Sequence, residues 1–170
     1  MVRDGESEEK ILGTLRDLGV SMDKAKKLLL LAQADTFNLL KSELKKTLQE
    51  SGFAVLDLGT HNDDSVDYPD FAYAMSKAIG DGRAGRGVLV CGTGIGVSIA
   101  ANRHPSIRAA LIHDAFGARL ARQHNDANVA CFGGRTIGAE VARDCLKVFL
   151  ETPFEGGRHA RRVAKLGNPG

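Results

Sequence analysis

Five short apolar runs, each followed by a stretch of helical periodicity, constrain the fold of this 170-residue chain more than any other feature of its sequence. They are LLLLA (28–32), AVLDLG (54–59), GVLVC (87–91), IRAALI (107–112) and NVACF (128–132). Runs this short, with little polar alternation, mark strands covered on both faces, and strands of that kind joined by helices form parallel sheets. Helical patterns fill the gaps: Leu39 to Glu50, the proline-introduced DYPDFAYAMSKAIGDG (67–82), and a stretch through Asn102. Another is capped by Asp114 and ends near His124, and the last runs from Gly138 to Leu150. The expectation is an α/β three-layer sandwich around a five-stranded parallel sheet, with ligands at the carboxyl ends of the strands.

Residues 26–170 make up that domain, closing with a basic tail, GGRHARRVAKLGNPG, that reads as one more short helix and a frayed end. Residues 1–25 read as an N-terminal extension in which Ile11, Leu15 and Leu18 fall at helical spacing. With 43% hydrophobic and 26% charged residues the chain is globular rather than disordered. A net charge of +2 gives no reason to expect a nucleic-acid or membrane partner. The longest apolar run, Leu28–Ala32, is too short to span a bilayer, and MVRDGESEEK is acidic where a targeting peptide would be basic. Cys91, Cys131 and Cys145 form no CxxC pair and no zinc-ligand spacing. They fit a reducing, cytoplasmic setting better than a disulfide framework.

Chemistry concentrates in three places. The stretch Cys-Gly-Thr-Gly-Ile-Gly-Val (91–97) lies where a buried strand gives way to a helix. Its alternating glycines let backbone N–H groups approach an oxygen-rich ligand, and helix N-termini favour thiolates and anions. A buried cysteine beside a tight turn is the other reading of the same residues. The loop is GxGxG rather than GxGxxG, and Val97 stands where a cysteine phosphatase would carry arginine. The second place is Arg122-Gln123-His124-Asn125-Asp126, where His124 is either a proton-transfer group or a favourable helix C-terminal residue. The third is the basic tail, where Arg158 and Arg162 lie four apart, a spacing that suits a phosphate as well as a solvated surface. Arg135, after Gly133-Gly134, is an isolated further candidate.

Taken together, DYPDFA (67–72), CGTGIGVSIAANR (91–103), RQHNDANV (122–129), FGGRTIG (132–138) and EGGRHARRV (155–163) resemble the ribose-5-phosphate isomerase B family, which includes the galactose-6-phosphate isomerase subunits. The resemblance implies a Rossmann-like sandwich that acts on a phosphorylated sugar, with no metal or organic cofactor. Cys91 corresponds to the family's general base. Thr93 and the N–H groups of Gly92, Gly94 and Gly96 would stabilise the developing oxyanion. Asn102 matches a further pocket residue. His124 corresponds to the ring-opening acid/base, with Asn125 beside it. Arg158 and Arg162 match the phosphate clamp, helped by His159 and Arg135. A homodimer or tetramer with the site shared between subunits is implied.

One departure stands out. The family carries Ser-Asp-His-Ala-Gly-Phe after its first strand, but here the stretch is LAQADTFNLLK, with Ala34 and Asp35 at the positions of the Asp-His pair. An active isomerase with a rearranged pocket, a sugar-phosphate-binding subunit that needs a paralogous partner, and an altered N-terminal reading frame each account for it. A nucleotide-binding protein of Rossmann type is a further reading of the glycine loop.

Overall fold

The computed structural model describes residues 29–33, 38–62 and 64–170. The expected N-terminal helix, and Ala34 and Asp35, lie outside the described residues. In chain order the elements are β1 (Leu29–Gln33), α1 (Asn38–Glu50), β2 (Val55–Gly59), α2 (Tyr68–Gly80), β3 (Arg86–Cys91) and α3 (Ile95–Ala101). They continue with β4 (Ala109–Leu111), α4 (Ala115–Asn125), β5 (Val129–Gly133), α5 (Ala139–Glu151) and α6 (Arg158–Leu166). The strands form one parallel sheet in the order β2-β1-β3-β5-β4. Connections leave β1 toward one edge and β3 toward the other, so the topological switch point lies between these two strands, with Cys91 at its mouth.

Alternation along the central strands explains why their sequence reads as unbroken apolar runs. Val88 and Val90 of β3, with Ala130 and Phe132 of β5, face Leu40, Leu44 and Leu48 of α1, Ala118 of α4, and Leu146 and Phe149 of α5. The residues between them, Leu89 and Cys91 with Val129 and Cys131, face Ala72 and Met75 of α2 and Val97 and Ala101 of α3. Each strand therefore contributes to two cores, and neither face can be polar. β4 is shorter than its apolar run. The Arg108 N–H donates to the Asn128 side chain, and the Ile107 N–H folds back to the His104 carbonyl, so the strand starts only at Ala109.

At the carboxyl end of β2 a buried charge ties sheet to helix. Lys41 of α1 places its Nζ 2.6 Å from Asp57 Oδ1 and donates to the Thr60 carbonyl at 2.8 Å. Asp57 also accepts from Gly59 N–H at 3.0 Å and pairs with Lys45 at 3.2 Å. Burial alone would raise this carboxyl. The Lys41 hydrogen bond, the Gly59 N–H, the Lys41 charge and the Lys45 hydrogen bond outweigh burial and hold it below its ordinary 3.8. Lys41→Met, which leaves Asp57 with Lys45 and the Gly59 N–H, is expected to cost about 3 kcal/mol, read as a lower urea midpoint. A depressed carboxylate stabilises the fold fully above pH 3.8 and loses that contribution as pH falls through its folded-state value. This acid-side loss should shrink in the variant, and unchanged midpoints and pH dependence would show the pair to be energetically silent.

Candidate active site

The first half of the site is built where β3 ends. Cys91 is buried, and its Sγ accepts a hydrogen bond from the Gly94 N–H at 3.1 Å. The turn that makes this bond needs glycine at 94, where φ is +76°. A Cβ there would sit 2.5 Å from Leu111 Cδ1 and 2.9 Å from the Phe132 carbonyl carbon. Thr93 is exposed, and its hydroxyl accepts from the Ile95 N–H at 3.3 Å. Arg135 joins this half from the far side of β5. Its N–H donates to the Gly92 carbonyl at 2.9 Å, the Gly134 N–H donates to the Cys91 carbonyl at 2.8 Å, and the Arg135 guanidinium lies over Gly92. The ring of Tyr68, at the start of α2, lies so close to Gly96 that a Cβ there would meet it at 2.5 Å. Tyr68 was not singled out from the sequence. The motif DYPDFA contains it, but only the packing puts its ring on the glycine loop.

The second half forms where α4 ends. Arg122 is buried and ties that end down, donating to Asp126 Oδ1 at 2.8 Å, to the Ala127 carbonyl at 2.6 Å and to the Thr152 carbonyl at 3.3 Å. His124 then stacks on His159 of α6, with ring centroids 4.2 Å apart and planes 9° from parallel. Glu155 lies across both rings, its carboxylate 3.5 Å from His159 Nε2 and 4.0 Å from His124 Nε2. Burial pushes the His159 imidazole below its ordinary value, and the charges of His124, Arg158 and Arg162 push the same way against Glu155. Arg158 and Arg162 project from the first turns of α6 and are exposed. Glu155 is the other residue that sequence reading passed over, although its four-residue spacing to His159 was visible.

Asn125 is exposed and, with Asn102, Arg103, Arg108 and Leu166, lines an open cavity of about 490 Å³. Asn102 donates to the Ala109 carbonyl at 2.9 Å and accepts from the Ala109 N–H at 2.8 Å, so its carboxamide joins the end of α3 to the start of β4.

The two halves lie at opposite ends of the sheet. α4 leaves the carboxyl end of β4 and returns the chain to the amino end of β5, so His124 sits where β5 begins. Cys91 pairs with Gly133, where β5 ends. A strand of five residues separates them by about 13 Å. Cys91, Thr93, Gly92, Gly94, Gly96 and Arg135 come together at one edge. His124, Asn125, Arg158, His159 and Arg162 gather at the other, with Asn102 also on that side.

Residues 30–166 match the family model described as Ribose/Galactose Isomerase. The chain is 43% identical over 128 residues to ribose-5-phosphate isomerase B of Escherichia coli (strain K12), covering 75% of this chain and 86% of the relative. It is 43% identical over 129 residues to the D-erythrulose-4-phosphate isomerase of Pectobacterium atrosepticum, covering 75% and 85%. The solved structure of Clostridium thermocellum ribose-5-phosphate isomerase B superposes with a TM-score of 0.81 at 42% identity, covering 84% of this chain and 96% of that one.

Gly94→Ala is expected to lower stability by about 2 kcal/mol or more, through left-handed strain and the clash with Leu111 and Phe132. Gly138→Ala, which meets nothing within 4 Å, is the matched control. Thermal melts of the two side by side test this, and equal melting temperatures would contradict the packing of the loop.

Proposed function

This chain belongs to the ribose/galactose isomerase family and is a sugar-phosphate isomerase, and on that premise we propose that it interconverts ribose 5-phosphate and ribulose 5-phosphate. The observation that carries the reading is the Cys91 sulfur, held by the Gly94 N–H at the carboxyl end of β3 in a chain that matches the family throughout its sheet. Cys91, as thiolate, takes the C2 proton of the open-chain aldose. The electron pair forms the enediolate as the C1 carbonyl oxygen takes up negative charge. The C2 hydroxyl passes its proton to the C1 oxyanion, the Cys91 thiol returns the abstracted proton to C1, and the C2–O bond becomes the ketone carbonyl. The Thr93 hydroxyl and the N–H groups of Gly92 and Gly96 stabilise the oxyanion, a task for donors already in place, whereas the Gly94 N–H, expected among them, is taken up by the Cys91 sulfur. His124 opens the sugar ring with Asn125 beside it. Arg158 and Arg162 hold the phosphate, with His159 and Arg135 assisting.

Cys91 and His124 lie at opposite ends of β5, on a sheet packed on both faces, so one small substrate does not lie against both within a single chain. We therefore place each site between two copies, with the Cys91 edge of one facing the His124 edge of the other, in a homodimer or a tetramer of such pairs. Ile95, Ile99 and Tyr68, exposed beside the glycine loop, supply apolar surface for the pairing. Three free, buried cysteines fit a cytoplasmic location. The presence of Ala34 and Asp35 in place of the family's Asp-His pair favours a second reading, a subunit that binds sugar phosphate and needs a paralogue for turnover.

Purified chain is expected to convert ribose 5-phosphate, and Cys91→Ala to abolish conversion while retaining binding. Binding without conversion by the unaltered chain would favour the second reading. Arg158→Ala is expected to raise KM at least about tenfold for phosphorylated sugars and leave binding of their unphosphorylated forms unchanged. Equal losses would remove the clamp. Co-expressed Cys91→Ala and His124→Ala chains, each inactive alone, should regain about a quarter of wild-type activity, because random pairing leaves one site in four intact. No recovery in confirmed mixed dimers would place the whole site within one chain.

A further inference from the structure

We propose that His124, Glu155 and His159 form a binding site for a divalent transition metal of the zinc class, and that the bound ion inhibits the enzyme. The inhibitory half rests on the proposed role of His124, and the metal site does not.

Two imidazole nitrogens and one carboxylate oxygen are a donor set suited to such ions. The candidate ligand atoms of these residues all lie within 4.8 Å of one another. Tetrahedral zinc, with bonds of about 2.0–2.1 Å, needs its ligand atoms about 3.3 Å apart. The three must therefore close by no more than roughly 1.5 Å. His159 Nε2 and Glu155 Oε2 are already 3.5 Å apart.

The scaffold limits how far the group can disperse. His159 is buried on α6 and so is fixed in place. The Glu155 N–H donates to the Gln123 carbonyl at 3.1 Å, which fixes the segment carrying the carboxylate to the residue before His124. Rings 9° from parallel aim their nitrogen lone pairs side by side, so a shared ion requires the half-buried His124 ring to leave the stack and turn, with the exposed Glu155 carboxylate, toward His159, which stays in place. The exposure of Glu155 leaves a fourth position open to water or a sugar hydroxyl. Arg158 and Arg162 oppose a cation here, so the site should be weaker than a closed structural zinc site. Once a metal takes the Nε2 lone pair of His124, that nitrogen can no longer accept a proton from the sugar, and ring opening stops.

The probe is Co²⁺, added to full-length chain freed of metal with a chelator, followed by Zn²⁺ inhibition assays. The expected result is a visible d–d spectrum without thiolate charge transfer, and an apparent affinity reduced at least about tenfold in Glu155→Gln. Zn²⁺ should inhibit isomerisation reversibly to chelator, and the variant should need at least about tenfold more of it, each protein being scored against its own metal-free rate. Equal Co²⁺ affinity in wild type and variant, or a thiolate charge-transfer band, would overturn the site. Binding at the site without inhibition would overturn the inhibitory role. If the metal-free chain shows no isomerase activity, the functional reading fails, and the Co²⁺ titration still decides the site.

Discussion

A parallel sheet must return the chain to its starting edge after every strand, and the rest of this structure depends on that constraint. Each strand ends at one edge of the sheet, and each crossover helix ends at the other. Cys91 terminates β3 and His124 lies in the last turn of α4, so connectivity alone assigns them to opposite edges before any side chain is placed. The glycine loop serves the first edge, and the start of α6 serves the second. The proposal of a site shared between two chains rests on this separation.

Buried charges anchor both edges. At the carboxyl edge, Lys41 bridges α1 to Asp57 and Thr60. At the amino edge, Arg122 gathers Asp126, Ala127 and Thr152, and its guanidinium lies 5.7 Å from the centre of the Phe149 ring. Arg86, entering β3, donates to the last carbonyls of α5 at Phe149 and Leu150, groups that a helix leaves without internal partners. Removing one member of such a group strands the others in a poorly solvated place, so these residues fix geometry more than they add net stability. They surround the site without entering it.

The layers of the fold were legible because strands covered on both faces leave unbroken apolar runs, and Val88–Cys91 and Val129–Phe132 show this plainly. The limits of β4 were not. Asn128 and Asn102 supply bonds that an edge strand would otherwise draw from backbone, and no periodicity reveals this. Spacing alone left the glycine loop, His124 and the paired arginines each with an ordinary structural reading. The roles proposed for them rest on five motifs occurring in order. Tyr68 and Glu155 escaped notice because what distinguishes them is proximity: one ring against Gly96, one carboxylate across two stacked imidazoles. Asn102 reads as a pocket residue in sequence, whereas its amide also closes the joint between α3 and β4.

The strand length that parts Cys91 from His124 also divides what selection can alter independently. Substitutions more than about 7–10 Å apart, with no shared partners, act almost additively. Within a single chain, changes around Arg158, His159 and Asn125 therefore leave the packing beneath the Cys91 sulfur undisturbed, and changes around the glycine loop leave the stacked histidines alone. The stability of the two ends of the sheet can therefore drift separately within one gene, although the proposed pairing of copies would bring both sets of changes to one site.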